Sequence, residues 1–226
     1  MRRPAGPWTP TIQVLLAHLQ AKGFPAPATL GVDEQGREIV SYLPGRASTH
    51  PWPPELLATS GAREVGALLR SYHDAVADFT PPTPAIWAHG QQMTAPGEII
   101  LHGDFAPHNL IWHDGRLTGV IDFELARPGK REEDIGFAVA RVAHLRPDES
   151  ATKIGFAEPP DRRARLIAFA EGYGCSIDHL IAAALYAQTR EIDNITRLGA
   201  AGIEPWASFL KVGLHETAAR ELAWMN

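Results

Sequence analysis

Residues 101–134 read LHGDFAPHNLIWHDGRLTGVIDFELARPGKREED. Two β-type runs, 109–112 and 117–122, flank His113-Asp114-Gly115-Arg116. An Asp-Gly pair between apolar runs is a strong hairpin signal, because a tight turn whose twist matches the strands needs left-handed backbone at its centre. A third run, Ile99-Ile100-Leu101, ends on His102-Gly103-Asp104. Three oxygen-bearing side chains therefore stand at strand ends or in a turn: Asp104, Asn109 and Asp122. Asp is common at such places simply as a turn former. That reading does not account for the ordered spacing of the set.

Upstream, Thr9-Pro10-Thr11 has a hydroxyl cap candidate and a first-turn proline. Ile12, Leu15, Leu16 and Leu19 follow at helical spacing, and Gly23 stops the helix. A small hairpin is expected next, with strands over 29–32 and 38–43 around a turn at 33–36. Four prolines make 44–54 a loop or linker. A long helix is expected over 60–77, with Val65, Leu68, Leu69, Tyr72 and Val76 on one face. Downstream of Asp134 the pattern is helical, over about 134–145, 161–173, 177–197 and 205–224. Few antiparallel strands among dominant helices predict an α+β fold rather than a doubly wound parallel sheet.

The 226 residues, 45% hydrophobic and 21% charged, suffice for one substantial domain or a domain with a small lobe. A net charge of −5 with scattered arginines gives no nucleic-acid footprint. Cys175 is the single cysteine, which excludes an internal disulfide and a Cys/His zinc site, and a cytoplasmic setting is expected. Residues 1–10 lack a signal-peptide core. No apolar run approaches the roughly 20 residues of a membrane span. Neither a nucleic-acid nor a membrane partner is expected. His102, His108 and His113 read as hydrogen-bonded loop histidines. Trp52, Trp87, Trp112 and Trp206 read as core or lobe contacts, and the charge run 127–133 as an exposed turn.

Asp104 and Asn109 have the spacing of a kinase catalytic loop, and Asp122-Phe123-Glu124 stands where kinases carry Asp-Phe-Gly. Asn and Asp offer the hard oxygens that Mg²⁺ prefers, and a further carboxylate can accept a proton. The segments HGDFAPHN (102–109) and IDFELARPG (121–129), with Asp134, resemble the aminoglycoside phosphotransferase and choline kinase family. The resemblance implies a protein-kinase-like fold and transfer of the terminal phosphoryl group of ATP or GTP, with Mg²⁺, to a small-molecule hydroxyl. It implies that Asp104 is the catalytic base, that Asn109 and Asp122 hold the metal, and that His102 and Asp134 are structural supports. Residues 40–43 resemble the hinge that receives the nucleotide base, which points to Ser41, Tyr42 and Leu43. On the helical tail, Glu191 and Asp193 are candidates for a cationic acceptor, or simply a solvated face. Residues 1–45 are expected to form a reduced N-terminal lobe and hinge, and 46–226 the C-terminal lobe.

The sequence departs from the family at its start. No glycine-rich phosphate loop or strand lysine precedes the first helix, and that helix carries no Asp or Glu to pair with such a lysine. Arg2 or Arg3 is a candidate replacement, because guanidinium binds phosphate well. A start upstream of Met1 would be another way to complete the lobe. A non-catalytic binding protein of the bacteriocin-immunity type, on the same scaffold, is the alternative function.

Overall fold

The computed structural model describes residues 1–89 and 96–226. Strand β1 (Arg2–Pro4) and helix α1 (Thr9–Ala21) come first, followed by β2 (Thr29–Val32) and β3 (Arg37–Val40). The first sheet has the order β1-β3-β2, with Arg3 opposite Glu38. Sequence patterning does not predict β1, because Arg-Arg-Pro has no strand propensity; Pro4 is tolerated on an edge strand. Helix α1 follows its pattern closely: Ile12, Leu15, Leu16 and Leu19 are buried, and Gly23 takes a positive φ of 71°. Strand β3 ends at Val40, short of the expected 43. Beyond it, Ser41 still donates its amide to the Ala28 carbonyl before Pro44-Gly45 breaks the run.

The proline-rich segment is more ordered than its composition suggests. It contains β4 (Arg46–Ala47) and the short helix α2 (Pro54–Leu57), which leads into α3 (Thr59–Ala75). Strand β5 (Ile99–Leu101) precedes the hairpin of β6 (Leu110–His113) and β7 (Arg116–Val120), and then β8 (Arg127–Gly129). β4 extends the hairpin sheet through β6, while β8 pairs antiparallel with β5. The run 127–133 is therefore not an exposed turn. Part of it is a strand, and Arg127 and Glu133 form a largely buried ion pair at 2.7 Å.

Helices α4 (Arg131–Val142), α5 (Ala151–Ile154), α6 (Arg162–Tyr173) and α7 (Ile177–Ala200) follow. Glu132, Glu133 and Asp134 lie in the first turn of α4, where their charge complements the helix dipole. The predicted last helix is broken into α8 (Trp206–Lys211) and α9 (Leu214–Met225), with Gly213 between them at φ 72°. α3 packs on α6, and α4 on α7. At the α4–α7 contact a Cβ on Gly136 would lie 1.9 Å from the Ala183 carbonyl oxygen, so only glycine permits that approach. One apolar core runs from α1 through Tyr72, Phe105 and Phe123 to α4 and α6. Small antiparallel sheets among dominant helices make the fold α+β. Among the described residues, no helix is long and apolar enough to cross a membrane.

Candidate active site

β5 delivers the chain to the turn at His102-Gly103-Asp104. Gly103 has φ 79°, and a Cβ there would lie 2.1 Å from the Leu125 carbonyl oxygen. Glycine is thus required where this loop meets the segment after Asp122. Asp134 holds the turn from beneath, its carboxylate accepting from the amides of His102 at 2.8 Å and Gly103 at 3.0 Å. Burial raises the Asp134 pKa, but the nearby His73 and His102 and the amide bond outweigh it, so the carboxyl titrates below its usual range. His102 Nε2 donates to the Ile121 carbonyl at 3.1 Å, and His102 Nδ1 accepts from the Asp104 amide at 3.2 Å. Burial lowers its pKa, which suits this neutral tautomer. His102 thus ties the Asp104 loop to the strand end that carries Asp122.

Asp104 Oδ2 accepts from Asn109 Nδ2 and from His108 Nε2, both at 2.9 Å. Asn109 Nδ2 also reaches the Asp104 carbonyl at 3.0 Å. The Asn109 nitrogen is therefore committed, so any ligand that this side chain takes falls to its oxygen. The bond to Asp104 raises the pKa of His108 against the opposing effect of burial.

Asp122 sits in a left-handed conformation, φ 68° and ψ 69°, with its side chain half exposed. Such backbone is costly for a residue with a Cβ and recurs at functional sites. Its Oδ1 accepts from Arg3 Nη1 at 3.1 Å. Arg3 Nε donates to Glu38 Oε2 at 2.6 Å, and Glu38 is only 1% exposed. Arg2 instead turns outward to Asp33 at 3.4 Å. The cross-strand pair of β1 and β3 thus presents one cation, Arg3, to Asp122. Among the described residues no three His, Cys, Asp or Glu side chains form a metal cage. Mg²⁺ does not need one, since it commonly takes one or two protein oxygens and completes its shell with phosphates and water. The Asn109 side-chain oxygen and the second Asp122 oxygen fit that demand.

Two cavities flank this group. A smaller one, about 200 Å³, borders Arg3 and Asp122 and is walled by Pro27, Val40, Ile121 and Phe123. Ser41, Tyr42 and Leu43 follow directly after Val40 but do not line it. Ser41 is hydrogen-bonded to Ala28, while Tyr42 is exposed, with its hydroxyl on the Gly45 carbonyl. The larger cleft, about 320 Å³, lies beside Asp104 and His108. Glu191 lines it, paired with Arg141 at 3.2 Å. Asp193 does not; it lies half exposed between Arg190 and Arg197, each at 3.7 Å. Residues two apart on a helix point to different sides, so of the two acceptor candidates Glu191 faces this cleft and Asp193 does not. Trp206, expected as a core or lobe contact, lines the cleft with its ring against His89, centroids 4.0 Å apart. Trp52, Trp87 and Trp112 are buried as expected. Glu38 and Arg141 have no motif around them, and only their depth in the fold marks them.

Small antiparallel sheets over a helical body, with these loops between them, define a protein-kinase-like fold. Solved structures align with nearly the whole chain. An amicoumacin kinase in complex with AMP-PNP, Ca²⁺ and Ami matches with TM-score 0.65 at 12% identity, over 98% of this chain and 78% of that one. ADP-bound aminoglycoside phosphotransferase APH(2'')-Ib gives TM-score 0.58 at 12% identity, over 96% and 82%. A microcompartment-associated aminopropanol kinase gives 0.56 at 14% identity, over 98% and 79%. At such identities the likeness is one of fold. In sequence, the model described as "Phosphotransferase enzyme family" matches residues 84–169. A trifolitoxin immunity protein of Rhizobium leguminosarum bv. trifolii is 33% identical over 180 residues, 77% of this chain and 67% of that protein. The chain belongs to the phosphotransferase enzyme family.

Proposed function

We propose that this protein moves the terminal phosphoryl group of ATP or GTP to a hydroxyl of a small molecule. The reading rests most on Arg3, which joins buried Glu38 to Asp122. Kinase-like folds place a lysine–glutamate pair beside the metal-binding aspartate to hold nucleotide phosphates. Here a strand arginine and a glutamate from the neighbouring strand offer the same charges, although among the described residues no strand carries a lysine. On this reading residues 1–45 are the reduced nucleotide-side lobe and hinge, and residues 46–226 the acceptor-side lobe. The nucleotide lies near Val40 and the segment Ser41, Tyr42 and Leu43, with its phosphates toward Arg3.

Asp104 takes the proton of the acceptor hydroxyl. The oxygen forms its bond to the terminal phosphorus as the bond to the bridging oxygen breaks, and the nucleoside diphosphate leaves. Asn109 and His108 fix the Asp104 carboxylate, so its orientation is set before the acceptor arrives. Asn109 and Asp122 would hold Mg²⁺, which when bound neutralises phosphate charge. His102 and Asp134 keep the loop in place.

Asp104→Asn tests this directly. Transfer falls by about 10²-fold or more, while nucleotide binding and thermal stability stay near those of the parent. Near-normal transfer by that variant would remove Asp104 from the role of base. A second reading follows from the trifolitoxin immunity protein: a binding protein that protects against a toxin without phosphoryl transfer. Nucleotide turnover separates the two. A chain that binds nucleotide and never turns it over in the presence of Mg²⁺ is the binding protein.

A further inference from the structure

The cleft beside Asp104 adjoins a second cavity of about 170 Å³, and His108 and Arg141 line both. All the ionisable side chains on the second cavity are basic: His50, His108, His144, Arg141 and Arg146. The carboxylates that balance them stand outside it. Glu221, on α9, pairs with Arg146 at 3.2 Å, and Glu191, in the first cleft, pairs with Arg141. A further cation supports the cavity from behind, where Arg162 donates to the carbonyls of His144 at 2.9 Å and Arg146 at 2.8 Å. Burial and the charges of Arg162, Arg146 and Arg165 push the His144 pKa down to about 4, as a positive local field requires. His144 is therefore neutral near pH 7, and the charged groups that the cavity presents are the guanidinium groups of Arg141 and Arg146.

The first cleft shows the converse. Glu133 is paired with Arg127, and Glu191 with Arg141, so the charge of each carboxylate is already met there, whereas a paired guanidinium, with five N–H donors, keeps donors for a second anion. His108, a wall of the second cavity, lies one hydrogen bond from Asp104.

We infer that the second cavity binds an oxyanion of the acceptor, a carboxylate or a phosphate, while the acceptor hydroxyl faces Asp104. The acceptor is then a small hydroxy acid or a phosphorylated alcohol rather than a polyamine. The choice of acceptor rests on the phosphotransferase reading; the anion site does not.

Calorimetry of the full chain at low chloride uses four probes on related scaffolds: glycerol, ethanolamine, glycerate and glycerol 3-phosphate. Glycerate or glycerol 3-phosphate binds, and the stronger of the two identifies the oxyanion; glycerol and ethanolamine do not bind. Arg146→Gln weakens the anionic probe by about tenfold or more. His50→Glu, at an exposed loop position, introduces a repelling charge and weakens it similarly. Circular dichroism checks both variants, and if Arg146→Gln does not fold, His50→Glu decides. Equal binding of all four probes, no binding of the anions, or unchanged anion affinity in the folded variants overturns the site. Acceptor-free nucleotide hydrolysis is followed in parallel. Anion binding without any hydrolysis upholds the site and counts against phosphoryl transfer, whereas hydrolysis without anion binding does the opposite.

Discussion

Arg3 stands between carboxylates in very different surroundings. Glu38 is 1% exposed and, among the described residues, its Oε1 has no hydrogen-bond partner, whereas Asp122 is 51% exposed. A buried carboxylate stripped of its cation is costly, by about 3–5 kcal/mol for a broken pair. Arg3→Ala would therefore confuse loss of fold with loss of function, and Arg3→Lys is the cleaner test. Lysine keeps the charge but lacks the planar fork that lets one guanidinium serve Glu38 and Asp122 together. Nucleotide affinity in the presence of Mg²⁺ is expected to fall by roughly tenfold in Arg3→Lys, the loss of about one charge-assisted hydrogen bond. Arg2→Ala is expected to leave it within about twofold, because Arg2 points to Asp33 at the surface. Titration with a non-hydrolysable nucleotide reads both variants. Equal losses in the two would take the clamp away from Arg3.

At the scale of elements, Arg165 on α6 does what no local pattern announces. Its guanidinium is buried and donates to the carbonyls of Val142 at 2.8 Å, Leu56 at 2.7 Å, Leu57 at 2.8 Å and Ala58 at 3.1 Å. It thereby joins the end of α2 and the end of α4 to α6. Burial pushes its pKa down to about 10, so it remains cationic at neutral pH. Arg165→Leu keeps apolar bulk but takes this donor from the carbonyls of Val142, Leu56 and Leu57, at about 1–3 kcal/mol for each that water cannot reach, while the Ala58 carbonyl keeps the Gly61 amide. A loss of roughly 3 kcal/mol or more is expected, lowering the thermal midpoint by about 6–12 °C for a chain of this size. A midpoint within about 2 °C of the parent would show that water replaces the guanidinium. The elements legible in the sequence are those with a period. α1, α3, α6 and α7 follow their apolar spacing, and the β6–β7 hairpin follows its Asp-Gly turn. β1 and β8 were hidden because Arg-Arg-Pro and Arg-Pro-Gly are turn chemistry, and only a partner strand makes them extended. The site divides likewise. Asp104, Asn109 and Asp122 lie within one stretch and could be read together. Glu38 could not, since an acid on a short strand looks like ordinary polar alternation until its neighbours bury it. Arg141 and Trp206 reach the cleft through helix packing, which leaves no trace in local spacing.

Across the whole molecule, acid sensitivity is expected to begin at histidines rather than carboxylates. The chain carries a net charge of −5, yet the folded state gathers Arg146, Arg162 and Arg165 around His144. Burial and those charges hold His144 at about 4, and burial and Arg127 do the same for His89. In the unfolded chain both return to about 6.5. Between those values the unfolded state binds protons that the folded state refuses, so stability falls as pH drops from about 6.5 toward 4. Below that range the two states are equally protonated at these sites, and their contribution flattens. Asp134, whose pKa is lowered, works the same way in a more acidic window, its stabilisation fading below its unfolded value. His108 opposes them. Its raised pKa gives a contribution present below its unfolded value and lost as pH rises through the folded one. His144→Asn isolates one histidine, because asparagine tolerates the positive φ of 54° found there. The variant loses the bond to Ser150 and is less stable than the parent at pH 7. It no longer pays to exclude a proton, so the gap should narrow at pH 5, by on the order of 1 kcal/mol. Urea midpoints of both proteins at pH 7, 6 and 5 measure that convergence. Parallel curves would mean that His144 is protonated as easily in the folded chain as in the unfolded one, and that the arginines around it do not raise the local potential.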